Sequence, residues 1–105
     1  MNTDITVEEL ARKREQNEPF TLIDVREPNE YAVANIGGTL IPLSQLQARA
    51  NEIPREGEVI VHCKMGGRSA QAVSYLRGLG YTNVRNLAGG INAWSQKIDP
   101  SVPTY

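Results

Sequence analysis

The chain has 105 residues and a formal net charge of −1 at pH 7, from 11 basic and 12 acidic residues. This length suits one ordinary domain, and the near-neutral charge disfavours a strongly basic nucleic-acid-binding protein. The chain holds one cysteine and one histidine, so it can form neither an internal disulfide nor a zinc site of several Cys and His ligands. We predict a single domain over residues 1–105 with a tail at about 98–105, and no cofactor.

The sequence also bears on where the protein resides. No segment approaches the roughly 20 apolar residues that a membrane-spanning helix needs. The first residues, Met1–Asp4, lack the basic and then apolar pattern of a signal peptide. We expect a cytoplasmic protein, because a reducing compartment keeps a single thiol free.

The first predicted elements are a helix, a strand and a second helix. Thr6 followed by Glu9 is a capping-box pattern and predicts a helix over 7–16. Residues 20–25 are mostly apolar or β-branched and predict a buried strand. A short helix follows, in which Pro28 suits the first turn.

The middle of the chain continues this alternation. Residues 39–41 predict a short strand. Ser44 and Gln47 form a second capping-box pattern, which predicts a helix to about Ile53. Residues 58–62 are the clearest strand of the sequence.

Two more helices and one more strand complete the predicted order. A helix is expected to start near Arg68 and to end at Gly80, the predicted C-cap. Its predicted buried face consists of apolar residues at helical spacing: Ala70, Val73, Leu76 and Leu79. Residues 84–87 predict the last strand, and a final helix runs from Gly89-Gly90 through Trp94, a predicted core residue.

Strands that alternate with helices imply a parallel sheet covered on both faces, an α/β fold. Ligands of such sheets bind beyond the carboxyl ends of the strands. Cys63 lies at such an end, directly after the strand at 58–62, and so does the turn after Val25.

Cys63 opens a loop that suits anion binding. Two glycines and a helix N-terminus allow several backbone N–H groups to converge on one point. Lys64 and Arg68 add positive charge, so we expect the pKa of Cys63 to lie below the free value of about 8.5. The thiolate is the nucleophile, which makes Cys63 the predicted catalytic residue. The predicted anion-binding loop is Lys64, Met65, Gly66, Gly67, Arg68 and Ser69.

Each of these residues also has a plainer interpretation. A lone cysteine is often buried as a small hydrophobe. Lys64 and Arg68 could be solvated surface charges, and Met65 could line the rim of a pocket or cover apolar surface. His62 should face away from the cysteine pocket, because adjacent strand residues point to opposite faces; a structural or solvent-contacting role is expected for it.

Three ordered motifs resemble the rhodanese family of sulfurtransferases, over about Val7 to Trp94. They are Leu22-Ile23-Asp24-Val25-Arg26-Glu27-Pro28-Asn29-Glu30-Tyr31, then Cys63-Lys64-Met65-Gly66-Gly67-Arg68-Ser69, then Leu87-Ala88-Gly89-Gly90-Ile91-Asn92-Ala93-Trp94. The resemblance implies a central five-stranded parallel sheet flanked by helices on both faces. It also implies that Cys63 attacks the outer sulfur of a donor and carries it as a persulfide, cradled by the backbone amides of Lys64 through Ser69.

The first motif supplies the supporting residues. Asp24 and Arg26 match the family's Asp-Val-Arg sequence. We hypothesise that Asp24 or Glu30 fixes Arg26 or the cysteine loop by charge-assisted hydrogen bonds. The alternative is a scaffold ion pair without a catalytic role. This chain has Asn35 where the family often has a histidine, which leaves the local hydrogen bonding open.

A narrower resemblance lies at the C-terminal end. Residues 94–105 are similar to the end of rhodanese domains fused behind ubiquitin-activating-type adenylyltransferases. The likeness implies sulfur transfer to the adenylated C-terminus of a small, ubiquitin-like sulfur-carrier protein, with an adenylyltransferase as a further partner. The expected donor is a small molecule or a cysteine desulfurase. We expect neither nucleic acid nor a membrane as a partner.

Three other functions remain open. The domain could be a generic thiosulfate:cyanide sulfurtransferase, or a non-catalytic interaction module, against which the intact Cys63 argues. A phosphatase-like or arsenate-reducing enzyme is disfavoured, because four residues separate Cys63 from Arg68 and the related enzymes have five. No second cysteine is present to resolve a persulfide, so an external acceptor is required.

Overall fold

A single sheet of five parallel strands runs through this computed structural model, which describes residues 3–105. The strands are β1 (Asp4–Ile5), β2 (Thr21–Asp24), β3 (Thr39–Leu40), β4 (Val59–His62) and β5 (Val84–Leu87). Their order across the sheet is β1-β5-β4-β2-β3. Strand β4 is therefore central and is paired on both sides, with β2 and β5. The predicted α/β class and the parallel sheet are confirmed.

Helices cover both faces of the sheet. They are α1 (Val7–Glu15), α2 (Pro28–Val33), α3 (Leu46–Arg49), α4 (Gly67–Gly78) and α5 (Gly90–Lys97). Val59 and Val61 pack into one buried cluster with α3 and α4, whereas Ile60 packs into a second cluster with α1 and α5. This alternation follows from the two-residue period of a strand. No helix within residues 3–105 has the length and apolar composition needed to cross a bilayer.

The sequence pattern alone does not predict β1. The strand has two residues, which is too short to show a period, and it is recognised only by its pairing with β5. The amides of Asn86 and Ala88 donate to the carbonyls of Thr3 and Ile5. With β1, the five strands implied by the family resemblance are complete.

The predicted capping box at Ser44 is wrong. The segment starts with a 3₁₀ turn, Leu43–Gln45, in which the Gln45 amide donates to the Pro42 carbonyl at 2.8 Å. Ser44 therefore lies inside the turn and cannot cap it. The short α3 and a second 3₁₀ turn, Ala50–Glu52, replace the long helix expected here.

The buried face of α4 is also different from the prediction. The residues that face the sheet are Ser69, Ala72, Val73 and Leu76. Ala70 is exposed, and Leu79 is 43% exposed because it is the C-cap, where the helix ends. The helix stop predicted at Gly80 is confirmed to within one residue, since Gly80 follows the C-cap Leu79. Gly80 has φ +97°, and its amide and that of Tyr81 donate to carbonyls of the last turn.

Candidate active site

Cys63 follows the central strand β4, at the carboxyl edge of the sheet. The neighbouring strand β2 ends at Asp24, which is the register partner of His62. The Val25 amide donates to the His62 carbonyl at 3.0 Å, so the two strand ends are held together. Helix α4 starts at Gly67, after a loop of three residues. The sequence prediction of Cys63 between a strand and a helix N-terminus is confirmed.

The loop folds around the sulfur of Cys63. Gly66 has φ +113°, a left-handed conformation that favours glycine, and its amide donates to Cys63 Sγ at 3.1 Å. The Ser69 hydroxyl lies 3.4 Å from the sulfur, and the amides of Met65 and Ser69 also lower the pKa of the thiol. Part of the expected cradle of backbone amides thus already surrounds Cys63 Sγ.

These donors decide the ionisation of the thiol. Burial raises the pKa of Cys63, but the hydrogen bonds from Ser69, Gly66 and Met65 lower it by more. The pKa of Cys63 therefore lies below its ordinary value, in the predicted direction. Cys63 is only 1% exposed, as a packing role would also require. Its polar donors distinguish it from an inert core cysteine.

The paired glycines at the start of α5, Gly89 and Gly90, lie against the same loop from the other side. Gly90 has φ +58°, and a Cβ there would lie 2.5 Å from the carbonyl oxygens of both Cys63 and Lys64. The next amides use this close approach: Ile91 donates to the Cys63 carbonyl and Asn92 to the Lys64 carbonyl, each at 3.0 Å. The sequence pattern of these glycines indicates the start of a helix and does not reveal this role.

Asp24 and Arg26 form a fully buried ion pair beside the loop. Arg26 Nη2 lies 2.6 Å from Asp24 Oδ2, and Arg26 Nε lies 2.9 Å from Oδ1. Both residues are 0% exposed. The same guanidinium donates to the Ala34 carbonyl at 2.7 Å and so ties β2 to the end of α2. Asp24 thus fixes Arg26, which is one of the contacts allowed by the hypothesis that Asp24 or Glu30 fixes Arg26 or the cysteine loop.

Glu30 fixes the loop itself through Arg68. Its carboxylate accepts two parallel hydrogen bonds, from Nη1 at 2.6 Å and Nη2 at 3.0 Å. The Arg68 guanidinium, more than the Glu27 amide, holds the pKa of Glu30 at about 2. Arg68 is partly exposed, so this pair lies at the mouth of the site. The structure brings all the predicted site residues to one edge of the sheet, and the catalytic contributions of Asp24, Arg26 and Glu30 stay predictions.

Tyr105 also belongs to this cluster, although the sequence pattern does not predict it. Its hydroxyl accepts from Arg26 Nη1 at 2.8 Å and donates to Glu30 Oε2 at 2.7 Å. Its ring lies under the Lys64 ammonium, which is 4.6 Å from the ring centroid. An aromatic residue in a proline-containing tail was the only sequence signal. The tail therefore packs against the site.

The remaining predicted residues have clear positions. Met65 is 66% exposed and lies on the outside of the loop. His62 is fully buried, and its Nδ1 is 3.2 Å from the Cys63 carbonyl oxygen, so its role is structural. Trp94 is buried as predicted. Asn35, in place of the usual histidine, closes a local turn by accepting from the Gly37 amide and donating to the Tyr31 carbonyl.

The chain belongs to the rhodanese-like domain family, whose model matches residues 6–97. It is 38% identical to a protein named sulfurtransferase from Allochromatium vinosum, and the match covers 97% of this chain and 96% of that protein. It is 44% identical to the rhodanese-like/PpiC domain-containing protein 12, chloroplastic, of Arabidopsis thaliana, over 97% of this chain. It is 34% identical to an adenylyltransferase and sulfurtransferase of Ogataea parapolymorpha, over 96% of this chain.

Two of these relatives are much longer than the matched region. The chain spans 37% of the Arabidopsis protein and 25% of the Ogataea protein. Among solved structures, a rhodanese-related protein from Thermoplasma volcanium superposes with a TM-score of 0.83 at 33% identity, covering 95% of this chain and 96% of that one. The chain therefore has the rhodanese fold and belongs to the family of rhodanese-like sulfurtransferases.

Proposed function

We propose that this chain carries sulfane sulfur as a persulfide on Cys63. The observation that supports this most directly is the environment of the sulfur. Cys63 Sγ accepts hydrogen bonds from backbone amides and from Ser69 at the N-terminus of α4, and the pKa of its thiol is lowered. The site thus favours a thiolate nucleophile without a neighbouring base.

The first half-reaction loads the cysteine. With thiosulfate as donor, the Cys63 thiolate attacks the outer sulfur, a new S–S bond forms, and the sulfur–sulfur bond of thiosulfate breaks. Sulfite leaves with the electron pair of that bond. The persulfide that remains extends past Cys63 Sγ into the loop, where amides of the 64–69 segment would hold its outer sulfur.

The second half-reaction unloads it. An external nucleophile such as cyanide attacks the outer sulfur, the persulfide S–S bond breaks, and Cys63 leaves as a thiolate. The sequence holds one cysteine, so no internal thiol competes for the sulfur. Double displacement of this kind gives ping-pong kinetics.

We propose further that the physiological acceptor is the adenylated C-terminus of a small sulfur-carrier protein. The similarity to the adenylyltransferase and sulfurtransferase of Ogataea parapolymorpha supports this acceptor, and so does the likeness of residues 94–105 to the ends of such domains. The persulfide sulfur attacks the carbonyl carbon and AMP leaves. An external thiol then attacks Cys63 Sγ of the acyl disulfide, and the thiocarboxylate leaves. A second thiol reduces the mixed disulfide that remains on Cys63 and restores the thiolate.

The sulfurtransferase proposal is tested by thiocyanate formation from thiosulfate and cyanide. The wild-type chain should turn over, and Cys63→Ser should not. Ser74→Ala, an exposed position on the outer face of α4, is the matched control and should keep wild-type turnover. Absence of thiocyanate with the wild type, or turnover by Cys63→Ser, would contradict the proposal.

The acceptor is tested separately with the persulfurated chain. It is mixed with an adenylated carrier protein and a thiol, and the carrier is weighed by mass spectrometry. A thiocarboxylate formed by the wild type and not by Cys63→Ser supports the carrier as acceptor. Discharge to cyanide alone would favour a generic thiosulfate:cyanide sulfurtransferase. Carrier binding without any sulfur transfer would favour a non-catalytic module.

A further inference from the structure

A buried amide lies on the far side of Ser69 from the nucleophile. Ser69 Oγ is 3.4 Å from Cys63 Sγ and 2.5 Å from Asn86 Oδ1. Ser69 is fully buried, and Asn86, on β5, is 7% exposed. A Cβ on Gly66 would lie 3.9 Å from Asn86 Nδ2, so the amide group packs directly against the cysteine loop. The serine hydroxyl therefore connects Cys63 to Asn86.

Asp4 sets the orientation of this amide. Asn86 Nδ2 lies 3.4 Å from Asp4 Oδ1, and the two residues are register partners in the β1–β5 pair. An amide nitrogen only donates and an amide oxygen only accepts. With the nitrogen directed to the carboxylate, Oδ1 of Asn86 faces Ser69 as an acceptor.

Asn86 and Cys63 consequently compete for one hydrogen. The Ser69 hydroxyl has a single hydrogen and can donate it fully to one acceptor at a time. The amide oxygen of Asn86 is a stronger acceptor than a thiol sulfur, so the hydrogen goes to Asn86 when Cys63 carries no charge. An anionic sulfur is a stronger acceptor, so the hydrogen turns to Cys63 when the sulfur becomes a thiolate.

We propose that Asn86 is a positioning residue that competes with Cys63 for the Ser69 hydrogen and so weakens the hydrogen bond from Ser69 to the Cys63 thiolate. A thiolate with fewer hydrogen bonds is the better nucleophile, and one with more is the better leaving group. Asn86 therefore speeds the attack of Cys63 on the donor and slows the departure of Cys63 as a leaving group. This inference rests on the proposed function of Cys63 as a persulfide carrier.

Other charged groups around the loop are held constant in the test. They are Lys64 and Arg68 of the loop, Glu30 and Tyr105 at its mouth, Asp24, Arg26 and His62 at the strand ends, and Asp4 beyond Asn86. None of these groups is substituted in the variants below. A change in the pKa of Cys63 therefore reports on the Ser69 hydrogen.

The test replaces Asn86 by leucine, which has a similar size and no acceptor. The pKa of Cys63, measured from the pH dependence of iodoacetamide alkylation without any sulfur donor, should fall by about one unit. Persulfide formation from thiosulfate, measured at a pH where the thiol is fully ionised, should slow by about threefold. Discharge to cyanide should be at least as fast as in the wild type. General damage to the site would slow both steps.

Two further variants complete the test. In a Ser69→Ala background, Asn86→Leu should leave the pKa of Cys63 unchanged, because the shared hydrogen is gone. Asn86→Asp is nearly isosteric, keeps an acceptor and adds negative charge, so it should raise the pKa of Cys63. This variant replaces Asn86→Leu in the test if the leucine variant does not fold. An unchanged or raised pKa in Asn86→Leu, or a shift that persists without Ser69, would overturn the inference. The predicted pKa shift in a chain that thiosulfate never persulfurates would instead refute the proposed function.

Discussion

Two strand ends lie side by side in this molecule, and they stabilise charge in opposite ways. After β4, the sulfur of Cys63 is held by neutral donors, namely backbone amides and the Ser69 hydroxyl. After β2, full charges face each other: Asp24 pairs with Arg26 and, one turn further, Glu30 pairs with Arg68. Tyr105 joins the two ion pairs through its hydroxyl.

We propose that this difference separates the groups that act on the sulfur from the ion pairs that hold the scaffold. A thiolate held by dipoles keeps its charge available for attack, because the donors described at the sulfur are neutral amides and a hydroxyl. The arginine of the loop, Arg68, is hydrogen-bonded to Glu30. The ion pairs thus fix the backbone around the site, and the amides act on the sulfur. Four substitutions test this division.

Cys63→Ser should have the largest effect. Turnover of thiosulfate and cyanide should fall at least ~10³-fold, because the nucleophile of the covalent step is lost. The midpoint of urea denaturation should stay close to that of the wild type, since serine is of similar size. A large loss of stability together with activity would mean that Cys63 acts mainly as a core residue.

Arg26→Met should be the most destabilising of the four. It removes the cation and leaves the carboxylate of Asp24 buried and unpaired, which costs about 3–5 kcal/mol of unfolding free energy. Urea denaturation measures it, and the double variant with Asp24→Asn should recover part of the loss. A cost below about 1 kcal/mol would contradict a scaffold role for this buried pair.

Glu30→Gln should have a smaller effect that depends on pH. The pair with Arg68 is partly exposed, so its loss should cost about 1 kcal/mol at neutral pH. The pKa of Glu30 is about 2 in the folded chain, below the ordinary 4.5. The stabilisation is therefore complete above pH 4.5 and is lost as the pH falls towards 2. A wild-type-to-variant difference that does not shrink over this range would argue against the ion pair.

Tyr105→Phe should have the smallest effect, because it removes one oxygen and keeps the ring over which Lys64 lies. Arg26 Nη1 then keeps only its 3.5 Å contact with the Glu30 carbonyl. We expect a loss of about 1 kcal/mol in thermal or urea unfolding. Tyr105→Ala, which also removes the ring, should cost more. Equal stability of the phenylalanine variant and the wild type would show that the bridge contributes nothing.

Local patterns predicted most of the fold and the centre of the site. The strand before Cys63, the loop glycines, and the stop at Gly80 each depend on a few neighbouring residues and appear as expected. Strand β1 and the turns from Leu43 to Glu52 were not predicted correctly, since short elements are decided by pairing and by competing local hydrogen bonds.

The missed site residues are distant in sequence from the residues that they contact. Tyr105 reaches Arg26, and Asn86 reaches Ser69, through tertiary packing alone. Gly90 is required by backbone contact with Cys63, and a glycine pair in a sequence does not reveal what approaches it. A pattern of neighbouring residues carries no information on such contacts, so only the structure shows them.

The central claim is that Cys63 carries the sulfur, and the intact mass of the chain after treatment with thiosulfate tests it most directly. The wild type should gain one sulfur atom, located on Cys63 by peptide fragmentation and removed by cyanide, whereas Cys63→Ser should gain none. A wild-type chain that gains no sulfur, or a gain that survives in Cys63→Ser, would contradict the account.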